Sequence, residues 1–571
     1  MTRAPLAAVL ALTCALTAPA FAQDEAPDLR PDDGSAAAAD DGAWLAQRPE
    51  VGAPEPFDPP ATDEIVLDNG LAITFIPFGL APKTEISVQI RVGNLNDGED
   101  IWLADLTGDL MAEGAAGMDG AGLAQAAAGM GGSLDIGVGM HTTEISMSVL
   151  SENAAEAAAL LGAVVTAPAL PESELPRIRD SLVRDLTVAL ADPGPLAQAI
   201  FAEALYGPDH PYGRIFPSEG QLSAYTPEQV RDFYAANYGA ARTHIYVAGR
   251  YDRGAVEDAL RQAFGDWAAG PPPLDLPPAP RSDRRVILLD RPGAPQSTIL
   301  LGLPTFGPDN ARDVQLRVAN TILGGAFTSR ITQNIREDKG YTYSPRSTVT
   351  HNIGDGYWSF RADVTTDVTG AALEEVFKEI ERLRTEAPTE DEAARTRNYA
   401  AGVYVIQSAS PSGLIGKLAF RDLHGLPDDY VEAFVPAVLA VSAEDIRAAA
   451  QDLLDPARMV MVVVGDLAEI RPQLDSLAAI EGVTIQRTRP PGAPAPDCTV
   501  QISIGEARLY GACTEEALAE ALLTPAAVPP ADSGLECAVD VSGSEPVYDG
   551  CLNLSAAGLE LLADAARAAA P

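Results

Sequence analysis

Two stretches of the chain, residues 71–93 (LAITFIPFGLAPKTEISVQIRVG) and 286–304 (VILLDRPGAPQSTILLGLP), alternate apolar and polar positions at the period of paired β-strands. Each runs into a helical pattern, the first starting near Trp102 and the second over ARDVQLRVANTIL, residues 311–323. Longer helical periodicity follows at 172–193 and again at 389–407. The two blocks also end alike. TPEQVRDFYAANYGAARTHIYVAG (226–249) and SAEDIRAAAQDLLDPARMVMVVVG (442–465) both span 23 positions from cap to glycine (249 − 226 and 465 − 442). Thr226 and Ser442 are the expected N-caps, and each helix should lead into a buried β-branched strand. Several elements recurring in one order imply a duplication. The predicted fold is α+β: two tandem homologous domains, each an antiparallel sheet packed with helices.

Composition breaks place the boundaries. Residues 1–22 carry one Arg, an apolar core and Ala20-Phe21-Ala22, the pattern of a secretory signal peptide cleaved after Ala22. This predicts a periplasmic or secreted protein, and no later run is long enough to be a transmembrane segment. Residues 23–60 read as a disordered acidic leader, 61–270 as the first domain, and 271–285 as a Pro-rich linker within GPPPLDLPPAPRSDRR. The second domain takes 286–488. The remainder, 489–571, is a Pro-rich linker and a small C-terminal module holding Cys498, Cys513, Cys537 and Cys551. An even number of cysteines confined to one segment of an exported chain predicts two disulfides, with three pairings open.

The chain has 81 Asp and Glu against 39 Lys and Arg, a net charge of −42. Such a surface repels phosphate backbones and excludes nucleic acid as a partner class. No GxSxG and no CxxC occur, which removes a nucleophile elbow and a zinc ribbon. His141 and Glu144 form the single His-x-x-Glu, but GMHTTEISMSVL alternates like a strand, where the helical geometry that joins two ligands is missing. His210, in HPYGR, is expected in a turn. Two clusters remain: LADLTGDLM (103–111), with Asp105 and Asp109 one helical turn apart around Gly108, and residues 324–347, where Arg336 and Tyr343 flank the helix breaker Gly340.

With these segments in view, the chain resembles the insulinase and pitrilysin-type zinc metallopeptidases, whose metal motif is H-x-x-E-H. LGGAFTSRITQNIREDKGYTYS is similar to that family's second-domain signature, and GGSLDIGVGMHTTEISMSVL to the strand pair after its metal helix. YGPDHPYGRIFPSEGQLSAYTPEQVRDFYAANY is similar to its first-domain segment. The likeness covers roughly 60–485. It implies that Asp105 and Asp109 stand where the two histidines would, Gly108 where the water-activating Glu would, and Asp185, 76 residues after Asp109, where the third ligand would. An all-oxygen set suits zinc poorly, and a glycine cannot accept a proton from water. The resemblance therefore implies no catalytic residue and no metal or other cofactor in this chain alone.

Arg336 and Tyr343 match the family's pair that contacts substrate and the oxyanion. That combination resembles a non-catalytic subunit of a zinc metalloendopeptidase, working with an H-x-x-E-H catalytic subunit that would hold the zinc and hydrolyse peptide substrates. The alternative is a purely structural or peptide-binding homologue with no role in hydrolysis. Residues beyond 495 depart from the family's usual end. So does the missing glycine-rich substrate loop, since only GPDN and LGGAF interrupt that region.

Overall fold

A computed structural model describes residues 57–475, residue 477 and the strand segments 485–487, 498–503, 506–511, 535–540 and 547–549. The predicted signal peptide, nearly all of the leader, Cys513 and Cys551 lie outside the described residues.

The first half builds a six-stranded sheet from β1 (Asp63–Val66), β2 (Ala72–Pro77), β3 (Lys83–Ile90), β4 (Leu134–Val138), β5 (Thr143–Leu150) and β6 (Thr243–Gly249), in the order β1-β2-β6-β3-β5-β4. The second builds another from β7 (Arg285–Asp290), β8 (Gln296–Thr305), β9 (Arg346–His351), β10 (Gly356–Thr365), β11 (Val460–Gly465) and β12 (Ile485–Arg487), in the order β9-β10-β8-β11-β7-β12. Read from β2 and from β7, five strands repeat in order and direction.

The expected antiparallel sheets are corrected here to mixed ones. β2 runs parallel to β6, with Ile73 opposite Ile245, and β7 runs parallel to β11, with Ile287 opposite Val462. β6 and β11 each re-enter after a long helical excursion, and a crossover of that length permits parallel pairing where a short hairpin does not. The two six-stranded sheets differ at one edge: β1 folds back antiparallel on β2, whereas β12 adds parallel to β7.

Helices pack against these sheets. In chain order those used below are α1 (Leu103–Met111), α2 (Leu175–Ala191), α3 (Pro193–Tyr206), α4 (Pro227–Asn237), α5 (Asp313–Asn320), α6 (Thr369–Thr385), α7 (Glu390–Gln407), α8 (Pro411–Leu423) and α9 (Ala443–Leu453). α4 and α9 start as expected. Thr226 Oγ1 accepts from Gln229 N while Gln229 reaches back to Thr226 N, and Ser442 and Asp445 repeat the reciprocal pair.

α3 joins the halves. Asp192 caps it by accepting from Gly194 N at 2.8 Å, and Pro193 takes the first helical position. Its apolar face buries Leu196, Ile200, Phe201 and Leu205 against Leu300, Val460, Val462 and Val464 of the second sheet. Phe201 is wholly buried, a gain of about 1.5–3 kcal/mol for a side chain of that size. The predicted linker has no helix or strand before β7, yet it is pinned: Arg281 N donates to Leu205 O at 2.7 Å, and Pro271 and Pro272 carbonyls accept from Arg242.

Beyond the second sheet, β13 (Cys498–Ser503), β14 (Glu506–Gly511), β15 (Leu535–Asp540) and β16 (Val547–Asp549) form an antiparallel sheet in sequence order. Cys498 pairs across to Gly511 and Cys537 to Leu509, so the two cysteines stand on opposite sides of β14.

Candidate functional site

The loop before α1 arranges its carboxylates. Asp97 caps the helix, its Oδ1 accepting from Ala104 N (2.8 Å) and its Oδ2 from Trp102 N (2.9 Å). Trp102 holds the left-handed conformation (φ 66°) that a bulky residue rarely adopts, and its indole donates to Ile215 O at 3.0 Å. Asn94 Nδ2 donates both to Asp97 Oδ2 (3.1 Å) and to Asp105 Oδ2 (2.5 Å), bridging two acids. Burial, with Asp105 nearby, pushes the Asp97 carboxyl up to about 7 against its own hydrogen bonds. Burial likewise raises Asp105, opposed by Asn94.

Asp109 is exposed, one turn further on. Desolvation by its surroundings, and then the charges of Asp105 and of Asp185 on α2, push it up to about 6. Asp105, Asp109 and Asp185 thus share one acidic neighbourhood.

Gly108 has a stronger reason than tolerance. A Cβ there would stand 2.6 Å from Val138 Cγ2 of β4 and 3.7 Å from Ile136 Cγ2. Side chains of strand β4 occupy the space a side chain at 108 would need. No group of three His, Cys, Asp or Glu side chains among the described residues is arranged to hold a metal ion. A zinc site does not fit here: its donor set would be oxygen only, and its base position is packed with methyl groups.

His141 is corrected from strand to the connection between β4 and β5. Its Nε2 bonds Tyr212 Oη at 2.9 Å, and burial with the charge of Arg91 pushes it down to about 4, so it is a neutral structural group. His210 lies in a turn as expected, its Nδ1 accepting from Tyr212 N.

The second cluster follows α5. The backbone widens into π-helical turns at Thr321–Gly325 and Thr332–Asp338, a form that frequently marks functional sites. Asn320 holds the first: its Oδ1 accepts from Ser347 Oγ (2.6 Å) and Trp358 Nε1 (2.9 Å). Asn334 anchors the second by donating to Glu375 and Glu379 on α6, both at 2.8 Å, and Arg330 forks onto Glu392 of α7 at 2.8 and 2.9 Å. Gly340 (φ 65°) ends the second turn, and buried Thr342 ties the chain to Asp363 O at 2.7 Å.

Between these anchors the guanidinium of Arg336 lies 4.6 Å from the ring centroids of both Phe327 and Tyr343. Tyr343 is 78% exposed and Phe327 58%. Arg336 and Tyr343 therefore do form a pair, with the Tyr343 ring outward and the half-buried Arg336 also ion-paired to Glu337 at 3.2 Å. Phe327 completes the sandwich; its only sequence signal is an aromatic inside the GGAF turn.

The candidate site thus consists of a repeated α+β strand order, an Arg–Tyr pair and an acid-bearing helix, with no metal-holding group among the described residues. Comparison with known proteins adds to this. Residues 224–399 match the peptidase M16 inactive domain. An uncharacterised zinc protease of Streptomyces coelicolor is 25% identical over 314 residues, 54% of this chain and 68% of that protein. One of Mycobacterium bovis is 25% identical over 428 residues, 72% and 96% respectively. The crystal structure of an M16 peptidase inactive domain from Pseudomonas fluorescens superposes with a TM-score of 0.65 at 25% identity, covering 71% of this chain and 98% of that one. Residues 224–399 thus carry the M16 inactive domain, and the chain is similar over most of its length to M16 zinc proteases while lacking an H-x-x-E-H motif.

Proposed function

We propose that this chain is the non-catalytic subunit of an exported, periplasmic M16 zinc endopeptidase, folded as two tandem homologous domains and completing the site of an H-x-x-E-H partner that carries the zinc. The observation that carries this reading is the contrast between the two clusters. The space for a base at Gly108 is filled, while Arg336 and Tyr343 are held by five hydrogen-bonding anchors around them. A cationic and a phenolic donor aimed at developing oxygen charge lower a hydrolytic barrier by several kcal/mol in a site closed from water. Extended peptides would bind by adding to a free sheet edge, and β4 and β9 are edge strands close in sequence to the two clusters.

The test is co-expression with the H-x-x-E-H partner, then Arg336→Met and Tyr343→Phe. The expected result is an intact complex whose kcat on peptide falls about 100-fold or more. An intact complex with unchanged activity would sink the reading. The exposed rings of Phe327 and Tyr343 favour the second reading, a peptide-binding homologue outside any peptidase. It predicts peptide binding by the isolated chain that Tyr343→Ala weakens, with no partner recovered. Export is checked separately, by finding Gln23 at the mature N-terminus.

A further inference from the structure

Two neighbouring arginines, one buried and one half-buried, have no carboxylate partner among the described residues. Arg242, at the start of β6, is 4% exposed. Its Nε donates to Pro271 O at 3.1 Å and its Nη2 to Pro272 O, but its buried Nη1 has no partner. Arg91, at the end of β3, lies beside it: Arg91 N donates to Arg242 O at 2.8 Å. Its buried Nε is likewise unpartnered. Burial holds both guanidinium groups below their ordinary pKa, Arg242 is lowered further by Arg91, and no carboxylate opposes either shift. This arrangement is unexpected in a chain of net charge −42. Adjacent buried cations are costly unless something pairs them.

Both side chains line a cavity of about 380 Å³ between the first sheet and α8. Gln89 and Thr142 add hydrogen-bonding groups, and Phe420 and Leu423 of α8 supply an apolar wall. The acid in that wall, Asp422, is already engaged: it accepts from Tyr246 Oη and Arg421 Nε, both at 2.6 Å. The volume lies at the small end of ligand pockets. Half the lining is apolar, which favours an anionic group on a hydrocarbon body over bare phosphate.

We propose that this cavity binds a monocarboxylate with a compact apolar body, its charge opposite the guanidinium groups of Arg91 and Arg242 and its body against Phe420 and Leu423. A free short acid and the C-terminal residue of a peptide share that chemistry. The site lies wholly within this chain and stands whether or not the chain completes a peptidase.

The test is calorimetric titration of the full mature chain, in low-chloride buffer, with four probes: N-acetyl-leucine, N-acetyl-leucine amide, acetyl-Ala-Ala-Ala-Leu with a free C-terminus, and inorganic phosphate. N-acetyl-leucine should bind and its amide should not. Arg91→Gln, which removes no hydrogen bond from the structure, should weaken binding at least tenfold without lowering the melting temperature. Arg242→Gln should abolish binding, but it also frees the Pro271–Pro272 carbonyls, so Arg91→Gln decides. Tighter binding of the tetrapeptide than of N-acetyl-leucine would make the source a peptide terminus; equal or weaker binding would make it a free acid. No binding, equal binding of acid and amide, phosphate binding alone, or an unaffected Arg91→Gln would each overturn the proposal.

Discussion

The two halves share a strand order but have treated their clusters in opposite ways. In the first, α1 keeps its i,i+4 acids while Val138 closes over Gly108, so the helix is packed as an ordinary structural element. In the second, the chain departs from α-helical hydrogen bonding twice within eighteen positions (338 − 321 + 1), and buried polar groups hold an exposed cation–aromatic sandwich in place. Exposure with rigid support is expensive in hydrogen bonds, and it is retained on one side only. The difference teaches that the helix of the first half is packed as structure, whereas the Arg–Tyr segment of the second is held open by its polar anchors.

The comparison breaks most severely if the halves are uncoupled. Phe201→Ala empties the core shared by α3 and the second sheet and should cost about 3–5 kcal/mol, read as a lower urea midpoint. Next, Asn320→Ala leaves Trp358 Nε1 and Ser347 Oγ without their acceptor. It should cost about 2–3 kcal/mol and, unlike Phe201→Ala, disturb the near-UV signal of Trp358.

The first half yields a sign reversal. Alanine at 108 gains up to about 1 kcal/mol of helix propensity but overpacks Val138 by about 1–3 kcal/mol. Gly108→Ala should therefore destabilise by about 1 kcal/mol in the native background and stabilise in Val138→Ala. Destabilisation in both would show that Val138 is not what excludes a side chain.

The smallest effect is electrostatic. Asp109 binds its proton more tightly folded, with a pKa pushed up to about 6, than an ordinary aspartate does. Its charge thus lowers stability as pH rises through that window, and the penalty disappears as pH falls toward 4. Asp109→Asn should raise the melting temperature by about 1–3 °C at pH 8, discounted for solvent exposure, and by nothing near pH 4.

Features set by near neighbours were legible in the sequence. The boxes at Thr226 and Ser442 need only the three residues that follow them, and the repeat of caps and strands exposed the duplicated order. Features set by distant partners were not. The π-helical turn depends on Asn320 meeting Ser347 and Trp358, 27 and 38 positions on. Gly108 is explained by a valine 30 positions later (138 − 108), and Arg91 meets Arg242 across 151 (242 − 91). His141 was read as strand because alternation runs unbroken from the connecting turn into β5. The parallel pairings were missed because β-branched strands look the same in either direction. Of the candidate site, the residue pairs were visible; what surrounds them was not.

The bridge made by α3 also sets an order of assembly. Phe201 and Val462 share one core cluster although 261 positions separate them (462 − 201), so forming that core closes a very long loop. During synthesis the first half is finished well before β11 exists. Until then the helix that will seal the molecule presents Leu196, Ile200, Phe201 and Leu205 to whatever is near. A nascent chain with that stripe uncovered is a natural client for a holding chaperone, released once the second sheet arrives to cover it.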